Sequence, residues 1–205
     1  MTAQPKPYIT EAEYLELERA SAGKHEYFAG EIYAMTGASE QHNLIASNVN
    51  AALHRQLRGQ PCRVYPSDMR VKVTQTGLNT YPDLSVVCGP PQFTDPAKRD
   101  TLINPTVIVE ILSPSTERYD RGLKFQSYRT IASLQEYILI AQDRRHIERY
   151  ARHEGNQWIL TEALGPQASL YIAALAATLD LADVYEQVEM PDTPEPSIPR
   201  DPAAE

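Results

Sequence analysis

Apolar positions recur at helical spacing across residues 39–58, where Leu44, Ile45, Val49, Ala52, Leu53 and Leu57 form one stripe. The pattern predicts a long helix closed by Gly59 and Pro61. A shorter helix is expected earlier, because Thr10-Glu11-Ala12-Glu13 is a capping box followed by Tyr14, Leu15 and Leu17. Between these two, residues 24–35 alternate loosely around Gly30 and predict a β-hairpin or a bulged strand. Residues 63–73 read as one strand, with Val64, Met69, Val71 and Val73 apolar, followed by a turn at 76–79 and a strand at 82–87. Residues 89–99 are a polar, proline-bearing loop.

The most apolar stretch is 106–112, as expected of a central strand covered on both faces. Pro114 ends it, and Thr116 or Asp120 then caps a helix expected to run to about Ala132. Another apolar strand follows at 136–141. Residues 146–152 and 157–161 form a predicted hairpin turning at Glu154-Gly155-Asn156. The apolar stretch 169–181 does not divide by pattern, and Asp180 is the expected cap of a last helix through Val188. No internal repeat is visible. The order of elements predicts an α/β fold: a mixed β-sheet flanked by helices, with added β-hairpins.

Composition adds boundaries rather than a function. With 205 residues the chain is expected to form a single domain over 1–188. Residues 189–205 form a proline- and acid-rich tail expected to be disordered. Neither an apolar run of membrane-spanning length nor a signal-peptide core is present, so a soluble cytoplasmic protein is expected. Cys62 and Cys88 are too few for a disulfide framework and are expected to be small apolar residues in a reducing compartment. The net charge of -8 argues against a protein that simply coats nucleic acid. Residues 186–205, however, hold six acids and one base, leaving 21 acids and 18 bases in the other 185 residues. A body so close to neutral can carry a local basic surface.

Two acids sit where acids are costly. Asp83 opens one apolar strand and Glu110 interrupts another, and a carboxylate buried without a partner is unfavourable. If the two strands lie side by side, Asp83 and Glu110 meet at one sheet edge. There they suit a hard divalent cation that takes oxygen ligands. Lys124, on the helix that follows, would assist chemistry at that cation. Each residue also has a plainer explanation. Asp83 could hydrogen-bond a loop after Pro82, and Glu110 could belong to a buried structural ion pair. Lys124 could pair with Asp120 four residues earlier on a helix surface, worth about 0.3–0.5 kcal/mol.

Taken as a set, several segments resemble one known family. They are the glycine-containing hairpin at 26–35, Gln41-His42-Asn43, Tyr81-Pro82-Asp83, the run from Val109 to Thr116, Asp120 with Lys124 and Tyr128, and the strand at 136–140. Together they resemble the Uma-type restriction endonucleases, a bacterial branch of the PD-(D/E)XK nuclease superfamily, over roughly residues 8–188. The resemblance implies a restriction endonuclease-like core and Mg²⁺-dependent hydrolysis of nucleic-acid phosphodiesters, DNA first, with Mn²⁺ as an alternative metal. It implies Asp83 and Glu110 as metal ligands and Asp83, Glu110 and Lys124 as the catalytic set. One departure matters: the superfamily places lysine two residues after the second acid, where this chain has Leu112, and the resemblance selects Lys124 instead.

Other charged residues fit ordinary roles as well or better. The resemblance places the hairpin of Glu26 and Glu31 near the site, but a solvated hairpin face is the expectation for both. His42 could touch substrate or its surrounding groups, with a helix-end or core role expected first. Asp68 fits the sheet edge and a turn or bulge equally. Arg144, Arg145, Arg149 and Arg152 could track phosphates, although hairpin surface charge is the default. Trp158 belongs to no stacking platform. P-loop, GxGxxG, HExxH and nucleophile-elbow patterns are all absent. The expected function is therefore a metal-dependent endonuclease acting on DNA. The alternative is a nuclease fold without catalysis that binds nucleic acid or a protein partner. A homodimer would suit duplex cutting, and no interface is legible in the sequence.

Overall fold

The computed structural model describes residues 7–190, and the expected tail from 191 onward lies outside them. Helix α1 (Glu11–Ala20) starts at a complete capping box, in which Thr10 and Glu13 each satisfy the other's backbone N–H. The pair β1 (His25–Phe28) and β2 (Glu31–Ala34) follows, then α2 (Glu40–Gln56), where the Ser39 hydroxyl accepts from the His42 N–H. Next come β3 (Cys62–Pro66), β4 (Arg70–Val73), β5 (Leu78–Thr80), β6 (Leu84–Cys88) and the two-residue β7 (Thr101–Leu102). Strand β8 (Val107–Leu112) leads into α3 (Glu117–Tyr119), a π-helical turn (Asp120–Lys124) and α4 (Phe125–Tyr128). The described residues continue with β9 (Glu136–Ala141), β10 (His146–Arg152), β11 (Trp158–Leu164), β12 (Ser169–Ile172), β13 (Ala177–Asp180) and α5 (Leu181–Val184).

Six strands form the main sheet in the order β11-β10-β9-β8-β6-β3, mixed because β8 and β9 are parallel while their outer neighbours are antiparallel. Both central strands are buried at every position, as expected of largely apolar strands, and each carries one acid, Glu110 or Glu136, into the interior. Alternation sorts their side chains between two cores. Val107, Val109 and Ile111 join Ile138, Ile140 and the α2 residues Ile45, Val49 and Leu53 on one face. Ile108 and Leu112 join Tyr137, Leu139 and Tyr128 on the other, beneath the second sheet, whose order is β2-β1-β5-β4-β7. Glu110 lies in register with Ile108 and Leu112, so its carboxylate is driven into this second core. Each fully buried Val, Ile or Leu contributes about 1.5–3 kcal/mol, enough to hold that register.

Several sequence expectations are corrected. The single strand expected at 63–73 is two strands in different sheets, split by a turn in which Met69 N–H bonds Pro66 C=O at 3.0 Å. The apolar residues on both sides masked this break. The helix expected from Thr116 to about Ala132 is three short pieces, and Thr116 makes no side-chain cap. Gly122, with φ -104° and ψ -105°, leaves the helical region and permits the wider π turn. The last helix stops at Val184 without a side-chain cap from Asp180. Cys62 and Cys88 are not free thiols: they face each other across β3 and β6 and form a disulfide. Their spacing of 26 residues carries no such signal, because only the strand pairing brings them together. Among the described residues no helix is long and apolar enough to cross a membrane.

Candidate active site

Strand directions bring several chain segments to one edge of the main sheet. Parallel β8 and β9 leave the sheet together, since Leu112 pairs with Ala141. Antiparallel β6 enters there, with Leu84 opposite Val109, so Asp83 lies just beyond its first residue, beside Glu110. Asp83 is fastened in place: its Oδ2 accepts the Ile111 N–H at 2.7 Å and lies 3.1 Å from His42 Nε2. His42 reaches it from the first turn of α2, whose N-cap Ser39 also donates to Gln142 Oε1 at 2.8 Å, just past β9.

Glu110 is 3% exposed and meets Lys124, itself 5% exposed, with Nζ 2.9 Å from Oε1. The Tyr128 hydroxyl donates to the same Oε1 at 2.8 Å. Lys124 has two further carboxylate neighbours: Glu26 Oε1 at 3.3 Å, from β1, and Asp120 Oδ1 at 3.3 Å, from the start of the π turn. Glu26 also accepts from the Thr80 hydroxyl on β5. The π turn matters because it directs Asp120 and Lys124 inward together, and both are buried.

Charge in this cluster does not balance. Three carboxylates (Glu26, Glu110 and Asp120) lie within 3.3 Å of one ammonium, and a fourth, Asp83, sits at the same edge beside His42. Burial pushes the Glu110 carboxyl well above its usual range; Lys124 opposes the shift, while Asp120 and Asp83 reinforce it. Burial also lifts the Asp120 carboxyl. Burial works against the Lys124 ammonium, yet the surrounding negative groups, Glu110 foremost, outweigh it and hold the amine protonated well above its ordinary range. A second cation would relieve the surplus. The donors suit Mg²⁺ or Mn²⁺: they are carboxylate oxygens, and the contacts of Asp83 and Glu110 each fall on one oxygen, Oδ2 and Oε1.

The family model described as "Putative restriction endonuclease" (Uma2) matches residues 11–182. The chain belongs to this family. Two proteins of Synechocystis sp. are similar to it. Uncharacterized protein sll1609 is 37% identical over 162 residues, 79% of this chain and 91% of that one. Uncharacterized protein slr1290 is 36% identical over 156 residues, 76% of this chain and 80% of that one. A solved structure from Anabaena variabilis, described as "a putative nuclease belonging to DUF820", superposes with a TM-score of 0.70 at 22% identity. It covers 86% of this chain and 97% of that chain. The Uma2 chain thus has a restriction endonuclease-like fold, and at the level of the family it is a nuclease.

The expected residues Asp83, Glu110 and Lys124 do gather at this edge, and three expectations for others change. Glu26 is 8% exposed and paired with Lys124, not a solvated hairpin acid. Its signal was faint: residues 24–35 alternate too loosely to assign an inner face. His42 adjoins Asp83 instead of serving only its helix end. Asp120 does pair with Lys124, but in the interior and not on a helix surface. Asp68 stays outside, paired with Lys24 at 3.1 Å. The arginine cluster divides: Arg152 donates to the carbonyls of Leu134, Arg129 and Ile131, and Arg149 to Thr161 and the Tyr171 carbonyl.

A second group of potential ligands, His146, Glu148 and Glu162, lies on β10 and β11. It is a poor cation site. His146 turns Nε2 toward Glu162 at 2.8 Å and Nδ1 toward Glu148 at 3.8 Å, so its two nitrogens face different acids. Glu148 is further held by both terminal nitrogens of Arg121, at 2.5 and 2.7 Å. Arg121 thereby ties the π turn to the hairpin.

Proposed function

We propose that this protein is a metal-dependent endonuclease that hydrolyses DNA phosphodiester bonds. The carrying observation is the buried contact between Glu110 and Lys124 beside Asp83, an arrangement with more negative charge than its single ammonium neutralises. Asp83 and Glu110 would hold Mg²⁺, with Mn²⁺ as an alternative. The bound metal would neutralise charge on the phosphate and acidify a coordinated water. His42 and the Ile111 N–H orient the Asp83 carboxylate, and Tyr128 orients that of Glu110. Lys124 keeps its proton and offers N–H donors beside Glu110, where they can position the attacking water or stabilise charge developing on the phosphoryl oxygens. Leu112 stands where the superfamily carries its lysine, and the π turn supports Lys124 as the replacement amine.

The test is cleavage of plasmid and linear duplex DNA with Mg²⁺, with Mn²⁺ and with chelator, for the wild type, Asp83→Asn, Glu110→Gln and Lys124→Met. Metal-dependent cleavage lost by about 10²–10³-fold or more in all three variants is the expected result. Binding of DNA by a wild type that never cuts, with either metal, would favour the non-catalytic alternative. A duplex cut on both strands calls for two such sites, so we also propose a homodimer. Sedimentation with and without DNA measures it.

A further inference from the structure

We infer that Arg118 and Arg145 form a phosphate-gripping pair that seats the DNA backbone on both sides of the candidate active site. The inference rests on the nuclease reading and names how the substrate is held. The topology that gathers the acids also sends two loops out from the same sheet edge. The segment after β8 carries Arg118, and the segment after β9 carries Arg145. Both side chains are exposed. Neither forms an ion pair with an acid among the described residues, whereas Arg121, Lys124, Arg144 and Arg149 all do. Arg118 also lines an open depression of about 570 Å³ together with Pro114, Glu117, Arg121 and Gly122, where Glu117 is already paired with Arg121, next to the turn that carries Asp120 and Lys124.

A chain with net charge -8 and four acids at its candidate site repels a polyanion unless cations meet the phosphates next to the one attacked. Arg118 and Arg145 are placed to do so. Both are solvated and uncommitted, and a guanidinium can engage two phosphate oxygens at once. Arg58 provides the contrast. It too is exposed and without an acid partner among the described residues, but it lies past the far end of α2, beside the Cys62–Cys88 end of the sheet.

The test is the salt dependence of binding to a short fluorescent duplex, measured by anisotropy across a range of KCl concentrations. Ca²⁺, which takes the same oxygen ligands, replaces Mg²⁺ to suppress cutting. Arg118→Gln and Arg145→Gln should each reduce the slope of log K against log salt by about one, and the double variant by about two. Arg58→Gln should leave the slope unchanged. Arg118→Lys and Arg145→Lys should keep the wild-type slope, because a phosphate contact needs the charge, whereas a merely structural role would not be restored by it. Wild-type slopes in the Gln variants, or an equal fall in Arg58→Gln, overturn the inference. A reduced slope in a protein that never cuts DNA would leave the grip standing and overturn the nuclease reading. A wild type with no salt-dependent binding overturns both.

Discussion

Two of the polar clusters among the described residues differ in whether their charges cancel. The first fastens α1 to the second sheet. Glu18 accepts from the His25 N–H at 3.0 Å and from the Tyr81 hydroxyl at 2.8 Å, with His25 Nδ1 2.9 Å away. Arg70, 3% exposed, donates to Tyr81 and Thr101 and pairs with Asp100, which Arg19 also holds at 2.7 Å. Two acids meet two arginines there, and the Arg19 guanidinium draws the Asp100 carboxyl below its usual range. The second cluster is the candidate site, where three carboxylates face one ammonium with Asp83 close by, and burial lifts the Glu110 carboxyl instead. A balanced network is fully satisfied by the fold. An unbalanced one is tolerated where a ligand completes it, which is why the second cluster, not the first, reads as functional.

Breaking each cluster in turn should show the difference. The largest effect is expected for Lys124→Met in chelator at neutral pH, which leaves the buried carboxylates with no cation. A loss of about 3–5 kcal/mol in urea unfolding is expected. That loss should shrink at pH 5, as the lifted carboxyls of Glu110 and Asp120 take up protons, and also on adding Mg²⁺. A loss that ignores both pH and metal would mean that Lys124 serves packing alone. Arg70→Met should cost less, about 1–3 kcal/mol for donors removed from buried acceptors, and should leave metal affinity unchanged in calorimetry.

The smallest effects are those of pH, and they should run in opposite directions. Asp100, drawn down by Arg19, contributes stability that is present above its unfolded pKa and lost as pH falls through its lowered folded value. Glu110, lifted by burial, contributes stability that is present below its unfolded pKa and lost as pH rises through its raised folded value. Asp100→Asn should therefore flatten the acid limb of a stability profile recorded in chelator. Glu110→Gln should flatten the decline above the ordinary carboxylate range. For the same reason Mg²⁺ affinity should climb with pH by at most about tenfold per unit for each proton displaced. A pH-independent affinity would show that no lifted carboxyl takes part.

The sequence alone determined the parts that rest on local pattern. The α2 stripe, the largely apolar β8 and β9, the capping box of α1 and the β10–β11 hairpin were all legible, because periodicity and turn chemistry act over a few residues. Asp83 and Glu110 stood out for a related reason: acids at the start of one apolar strand and inside another are expensive wherever the strands go. The tertiary structure decided what depends on residues far apart in the chain. The break at Pro66 follows from membership of two different sheets. The Cys62–Cys88 bond follows from β3–β6 register. Glu26 enters the site because β1 pairs with β5 beside the π turn, and Gly122 lets that turn deliver Asp120 and Lys124 to the same interior point. Local pattern could mark the residues that needed a partner, but choosing the partner required strand pairing and one non-helical glycine, neither of which leaves a periodic trace.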